Sequence, residues 1–107
     1  MQLTTQDELF GYEIIETVGI VRGNTVRARN IGKDILASFR NVVGGEISEY
    51  TKLLAEAREQ AIDRMIEEAK CKGADGIVCI RFTTSSIMQA AAELFVFGTG
   101  VRLKKKR

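Results

Sequence analysis

The chain has 107 residues, of which 45% are hydrophobic and 28% are charged. These values are typical of one soluble globular domain, and no apolar stretch approaches the roughly 20 residues that cross a bilayer. Proline is absent, so no Pro-rich linker separates two modules, and the opening residues carry no signal-peptide pattern. The two cysteines do not form a secretory disulfide framework, and we therefore expect reduced thiols in a cytoplasmic protein.

The net charge of +2 is unevenly distributed along the chain. The last four residues, Lys104 to Arg107, are all basic, and subtracting their +4 from +2 leaves −2 on the preceding 103 residues. A general nucleic-acid binder would carry its basic charge on the folded body. We therefore expect one domain over residues 1–107 that ends in a short, solvated basic tail at 104–107.

The first predicted strand covers Tyr12 to Arg29, "YEIIETVGIVRGNTVRAR", where β-branched residues dominate. The triplet "RGN" at Arg22 to Asn24 predicts a turn or bulge within it. Asn30 is a candidate N-cap for a first helix, whose apolar residues follow helical spacing as far as Gly44. Those apolar residues are Ile31, Ile35, Leu36, Phe39, Val42 and Val43.

Gly44 and Gly45 could form either a phosphate-binding loop or a hinge between two helices. A phosphate loop lies between a strand and a helix and usually brings a Lys or Ser/Thr to the phosphates. Here the glycines follow a predicted helix, and Glu46 would repel an anion. We interpret the pair as a hinge, in which Gly44 takes the left-handed conformation that ends a helix.

The second predicted helix begins at the N-cap Ser48 and ends at Gly73. Its apolar residues form one stripe that indicates a buried side. They are Tyr50, Leu53, Leu54, Ala57, Ala61, Met65 and Ala69, with Ile62 and Ile66 at the margin. Arg64, Glu68 and Lys72 follow at intervals of four, the spacing of ion pairs on a solvated side.

Two more strands are predicted after "GADG". In "IVCIRF" the alternation puts Val78, Ile80 and Phe82 on one face, and Ile77, Cys79 and Arg81 on the other. In "AAAELFVFGTGVRL", from Ala90, the residues Phe95, Phe97 and Val101 share a face opposite Leu94 and Val96. The start of this last strand is ambiguous, because "MQAAAEL" also favours a helix.

The order strand, helix, helix, strand, strand predicts an α+β sandwich, with one mainly antiparallel sheet covered on one face by two helices. Most of the strands carry apolar residues on both faces. We expect another subunit to bury the apolar residues that the helices cannot cover.

Few residues indicate chemistry. Histidine, the commonest general base, is absent, so catalytic residues are not predicted.

Cys71 and Cys79 are metal-ligand candidates, but they lie on different predicted elements and lack the four-ligand spacing of a structural zinc site. Arg27 and Arg29 share one strand parity and could meet phosphates, although no aromatic residue interleaves with them for base stacking.

Glu93 is the polar residue with the most consequential position. It shares the strand parity of Phe95 and Phe97, where burial is expected and an unpaired carboxylate would be costly. It could pair with Arg81 or with a neighbouring subunit's arginine, and a ring of such acids could hold a hard cation. The alternative is an exposed residue at the start of a strand.

Three segments resemble the YbjQ-like family, small uncharacterised bacterial and archaeal proteins that carry a heavy-metal-binding label. They are "RNVVGGEISEYTKLLAEAREQA" from Arg40, "KGADGIVCIRF" from Lys72 and "GTGVRL" from Gly98. The family pattern falls on Arg40, Asn41, Val42, Val43, Gly44, Gly45, Tyr50, Ala57, Arg58 and Glu59. The chain departs from many members at Glu46, Ile47 and Thr51, and at Gly100, where alanine is usual.

The resemblance implies a βααββ-type fold assembled as a ring, with a pentamer as the expected state. It supplies no ligand set, so no cofactor is predicted and the metal label stays open. We expect a non-enzymatic homo-oligomer that binds a metal or small ligand or acts as a scaffold. The alternatives are a small enzyme with an intersubunit site and a weak nucleic-acid binder that uses Arg27, Arg29 and the basic tail.

Overall fold

The structure, a computed structural model, describes residues 1–28, 48–88 and 91–106. Within these residues the protein is α+β, a four-stranded mixed sheet with one long helix. The strands are β1 (Gln2–Leu3), β2 (Tyr12–Ala28), β3 (Gly76–Met88) and β4 (Ala91–Lys105), and the helix α1 is Ser48–Cys71. The first predicted helix and the Gly44–Gly45 hinge lie outside the described residues.

The sheet order is β1-β3-β4-β2. β4 is antiparallel to both of its neighbours, and the short β1, which the sequence analysis did not predict, pairs with β3 in parallel. The last strand begins at Ala91, so residues 91–94 form part of the sheet although the sequence there also favours a helix. The resulting order places the long β2 at one edge of the sheet.

The helix α1 ends as the sequence predicts, at a glycine in the left-handed conformation. Gly73 has φ +79°, and its N–H donates to the Lys70 carbonyl at 3.0 Å. The Ala74 N–H donates to the Ala69 carbonyl at 2.9 Å, which completes the pair of bonds of a Schellman motif. Because Ala69 and Ala74 are both in the core, this cap also turns the chain directly into β3.

The packing of α1 on β2 explains Gly23. The predicted turn or bulge at Arg22 to Asn24 is wrong, because β2 continues through it and Gly23 pairs with Val96. A Cβ atom on Gly23 would overlap the Ala61 carbonyl oxygen and lie 2.6 Å from the Met65 nitrogen. The glycine is therefore needed for the close approach of the helix backbone. The register shifts lie earlier in β2, between Ile14 and Glu16 and between Thr17 and Gly19.

A bulge in β3 changes the predicted faces of that strand. The register shifts between Val78 and Arg81, and Cys79 has φ +58°, an uncommon value for a residue other than glycine. The predicted alternation of residues 77–82 is therefore wrong: Ile77 and Ile80 both lie in the core. The Cys79 N–H donates to the Gln6 carbonyl at 2.9 Å, so the bulge is paired with the N-terminal segment.

The core lies between α1 and one face of the sheet. It contains Val21, Ala61, Met65, Ala69, Ala74, Ile77, Ile80 and Val96. The predicted alternation of residues 94–97 is confirmed, because Leu94 and Val96 are buried whereas Phe95 and Phe97 are only half-buried. The helix packs chiefly on β2 and β4, so it covers one face of those two strands.

The N-terminal segment covers part of the opposite face, at the end of the sheet near Gly76 and Val101. Val101 is 1% exposed, and the Cβ position of Gly76 lies 3.3 Å from the Leu9 Cδ1 atom.

Two residues of the predicted basic tail, Lys104 and Lys105, belong to β4, and Lys104 lies opposite Glu13 of β2. This opposite-charge pair extends the ladder to the end of the strand.

The close packing at Gly23 leads to a stability prediction. The Gly23→Ala variant should lose about 3 kcal/mol or more of its unfolding free energy, since its methyl group would have to displace helix backbone. Gly11→Ala is the control, because Gly11 has φ +84° but nothing within 4 Å of its Cβ position. It should lose only the roughly 1–2 kcal/mol of left-handed backbone strain in the same denaturant titration. Equal losses in the two variants would contradict the close approach.

Candidate functional site

The face of the sheet turned away from α1 is the most distinctive surface of the molecule. Three consecutive rows of opposed residues from β2, β4 and β3 define it, and we call this set the open face. The rows are Arg22–Phe97–Arg81, Asn24–Phe95–Thr83 and Val26–Glu93–Ser85. None of these nine side chains is fully buried, whereas their neighbours on β2 and β4 under the helix are.

The centre of the open face is aromatic. Phe95 and Phe97 have ring centroids 5.5 Å apart with an interplanar angle of 33°. Val26 beside them is 54% exposed, and Ile20, in the next row beyond Arg22, is 63% exposed. Adjacent apolar side chains of this kind are typical of a surface that another molecule covers.

The charges of the open face are separated along the strands. Arg22 and Arg81 lie on either side of Phe97 in the first row, and Glu93 lies in the third row. Residues 93 and 97 are four apart in β4, which corresponds to about 13 Å along a strand. The face is therefore basic at one end and acidic at the other.

The structure places Glu93 on the predicted face, within β4 and half-buried. Its Oε2 atom accepts a long hydrogen bond, 3.5 Å, from the Asn24 Nδ2 atom. Arg81, its predicted intrachain partner, is two rows away and donates from Nη1 to the carbonyls of Thr5 and Ile80 at 2.7 and 2.8 Å. Among the described residues, the Asn24 amide rather than a cation is thus the polar partner of this carboxylate.

Cys71 and Cys79 are both free thiols in different environments. Cys71 is exposed at the end of α1, and Cys79 is half-buried at the bulge of β3. The described part of the chain contains no group of three or more His, Cys, Asp or Glu residues able to hold a metal ion. The structure therefore does not bring Glu93, Cys71 and Cys79 together as one ligand set.

Cys79 also lines a cleft of about 760 Å³ between the bulge and the N-terminal segment. Arg81 and Thr5 contribute polar groups to its lining, and Asp7 and Glu8 contribute two carboxylates. Phe10, which also lines the cleft, is fully exposed to solvent. The cleft is open to solvent and of mixed polarity, so it is a weak candidate for binding a small ligand. The open face is the stronger candidate site of the two.

The other residues singled out in the sequence contribute less to these surfaces. Arg58 and Glu59 are exposed on α1, and Tyr50 lies in its first turn. Arg27 lies near the end of β2, while Arg29, Arg40, Gly44 and Gly45 are outside the described residues. Sequence reasoning missed Arg22 and the row it forms, because that row appears only when three strands are placed in register.

Comparison with known proteins identifies the family. A family model described as "Putative heavy-metal-binding", YbjQ_1, matches residues 1–104. The chain belongs to the YbjQ family. It is 57% identical to a UPF0145 protein of Pseudothermotoga lettingae over 98% of this chain and 99% of that relative. It is 55% identical to a UPF0145 protein of Halorubrum lacusprofundi, over 97% of this chain and 100% of the relative.

A solved structure shares the YbjQ fold at low sequence identity. It is a protein of unknown function from Pediococcus pentosaceus, similar with a TM-score of 0.57 and 18% identity over 99% of this chain and 98% of that one. In the part of the YbjQ chain described here, no helix has both the length and the hydrophobicity needed to cross a bilayer.

The two thiols should differ in reactivity. A thiol reagent should modify Cys71 faster than Cys79 in the native protein, since the first is exposed and the second half-buried. The Cys79→Ser variant should retain the fast phase, and the Cys71→Ser variant should retain only the slow one. Identical rates in the two variants would contradict this placement of the cysteines.

Proposed function

We propose that this YbjQ-family protein is a non-enzymatic homo-oligomer in which another copy of the chain covers the open face. A pentameric ring is the form that the family resemblance implies. The assembly would act as a scaffold or hold a metal or small ligand between subunits, in the cytoplasm. The observation that carries the proposal is the aromatic centre of the open face, where Phe95 and Phe97 are only half-buried within the chain.

The apolar side chains of the open face support burial against protein. Phe95, Phe97 and Val26 belong to this face, Ile20 lies in the next row beyond it, and none of the four is fully covered within the chain. Removing apolar surface from water contributes roughly 25 cal/mol per Å². Burial of these four side chains against a second copy would therefore stabilise the assembly.

The charges of the open face support a second copy as the partner. Because Arg22 and Arg81 are at one end and Glu93 is at the other, the acidic end of one subunit complements the basic end of another. The long 3.5 Å bond from Asn24 leaves Glu93 with capacity to accept further donors. An arginine of a neighbouring subunit would supply them.

A scaffold or binding role fits the residues better than catalysis does. The chain contains no histidine. Its two thiols lie on different elements, α1 and β3, and among the described residues the half-buried carboxylate of Glu93 is bonded to an amide rather than to a nucleophile. A ligand site shared between subunits would use groups from the open face, in which Glu93 is the residue able to bind a hard cation.

A second candidate function arises from the first row of the open face. Phe97 lies between Arg22 and Arg81, so an aromatic platform stands beside two cations, the combination that binds single-stranded nucleic acid. In this role the face would bind bases by stacking and phosphates through the arginines. Affinity that falls steeply with salt would distinguish it from self-association.

Substitution at the centre of the open face should dissociate the protein. Wild-type protein should sediment at several times its 11.9 kDa chain mass. Phe95→Lys should shift the protein towards the monomer at micromolar concentration, because it places a charge in the centre of the contact.

Phe82→Lys is the matched control, since Phe82 is 45% exposed but lies on the opposite side of the sheet. It should sediment like the wild type. A wild-type protein that is monomeric at micromolar concentration would contradict the proposal, and salt-sensitive binding of a single-stranded oligonucleotide by that monomer would support the second candidate.

The charge of Glu93 should contribute to the same contact. Glu93→Gln preserves the shape and removes the charge, so it should raise the concentration at which the assembly half-dissociates by about tenfold. Glu59→Gln, on the exposed side of α1, should leave that concentration unchanged. Equal midpoints for the two variants in sedimentation would show that Glu93 has no role in assembly.

A further inference from the structure

The free edge of β2 is the second unusual feature of this fold. β2 has 17 residues and lies at the end of the sheet, so among the described residues no strand pairs with its outer side. An exposed edge of this length presents unpaired N–H and C=O groups and is a template for pairing with another chain.

Two cationic side chains of α1 contact the backbone of this edge strand. The Lys72 Nζ atom donates to the Ile20 carbonyl at 2.8 Å, and the Arg64 Nη1 atom donates to the Asn24 carbonyl at 2.7 Å. Both distances are those of good charge-assisted hydrogen bonds. The two side chains belong to the Arg64, Glu68, Lys72 series that sequence spacing alone assigns to a solvated surface.

The geometry assigns these carbonyls to the outer side of β2. Alternate residues of an edge strand direct both backbone groups away from the paired neighbour. Ile20 and Asn24 are an even number of residues apart, so their carbonyls point the same way. Because helix side chains reach both of them, this set is the one that faces away from β4.

The spacing of donors and acceptors matches. Arg64 and Lys72 are about 12 Å apart along the helix, and Asn24 and Ile20 are about 13 Å apart along the strand. The helix and strand run in opposite directions here, held close by the backbone contact at Gly23. Lys72 is also held in place by Glu68, with its Nζ atom 3.4 Å from the Glu68 Oε1 atom.

We propose that Arg64 and Lys72 block the outer edge of β2 against strand addition by a second copy of the chain. An incoming strand needs the outward carbonyls of Ile20 and Asn24 as acceptors, and the two cations already occupy them. The pairing that they prevent is antiparallel β2-to-β2 addition, in which the two copies present the same edge. The inference does not rest on coverage of the open face, since the edge and the face are different surfaces.

The test is the double variant Arg64→Met/Lys72→Met, compared with Arg58→Met/Lys70→Met. Methionine keeps the length of the side chain and removes the donors, and Arg58 and Lys70 are exposed cations on the same helix. The concentration at which species larger than the wild-type assembly appear should fall by about tenfold in the first variant only. Hydrogen exchange should then show protection of the outward amides of β2.

Two results would overturn the proposal. One is a mass distribution of Arg64→Met/Lys72→Met that matches the control variant at every concentration. The other is growth of larger species without added protection of residues 20–26. If the double variant does not fold, Arg64→Met and Lys72→Met are compared singly with Arg58→Met and Lys70→Met, and no increase in either single variant also overturns it. Phe95→Lys should not reproduce the effect, which separates a failure here from a failure of the assembly proposal.

Discussion

The direct contact between the α1 backbone and Gly23 of β2 is the constraint on which the rest of the structure depends. It requires a strand residue without a side chain and a helix side made of small residues, which Ala57, Ala61 and Ala69 provide. The close approach seats the helix over β2 and β4, brings Met65 into the core, and places Arg64 and Lys72 within reach of the strand carbonyls. The position of α1 therefore decides which residues form the core, which carbonyls of β2 are bonded to helix side chains, and which face of the sheet stays uncovered by the helix.

A helix seated over one face of the strands does not cover their other face. The N-terminal segment covers the end near Val101 and Gly76, but it does not bury Phe95, Phe97 or Val26. This arrangement leaves two surfaces, the outer edge of β2 and the open face, and the side chains at the two differ. The outer carbonyls of Ile20 and Asn24 are occupied by cations of the chain itself. The open face is apolar in the middle and carries opposite charges at its ends, the features on which the proposed association with a second copy is based.

Sequence patterns predicted the helix Ser48–Cys71, its glycine terminator and the alternation in β4, because those signals are local and strongly periodic. They failed where a residue is explained by a distant neighbour. Gly23 reads as a turn residue until Ala61 is placed against it, and Cys79 reads as an ordinary strand residue although the bulge there puts both Ile77 and Ile80 in the core. Glu93 lies on the face that the alternation in β4 predicts, but its contact with Asn24 depends on the β2–β4 register, which cannot be read from the sequence because β2 contains two register shifts.

The most direct test of coverage is hydroxyl-radical footprinting of the phenylalanine side chains across a range of protein concentrations. Phe10 and Phe82, 102% and 45% exposed in the single chain, serve as internal references on the same molecule. Phe95 and Phe97 should lose reactivity relative to Phe10 and Phe82 once the assembly forms and should regain it on dilution to the monomer. If Phe95 and Phe97 keep the reactivity of half-buried rings at every concentration, no second copy covers the open face.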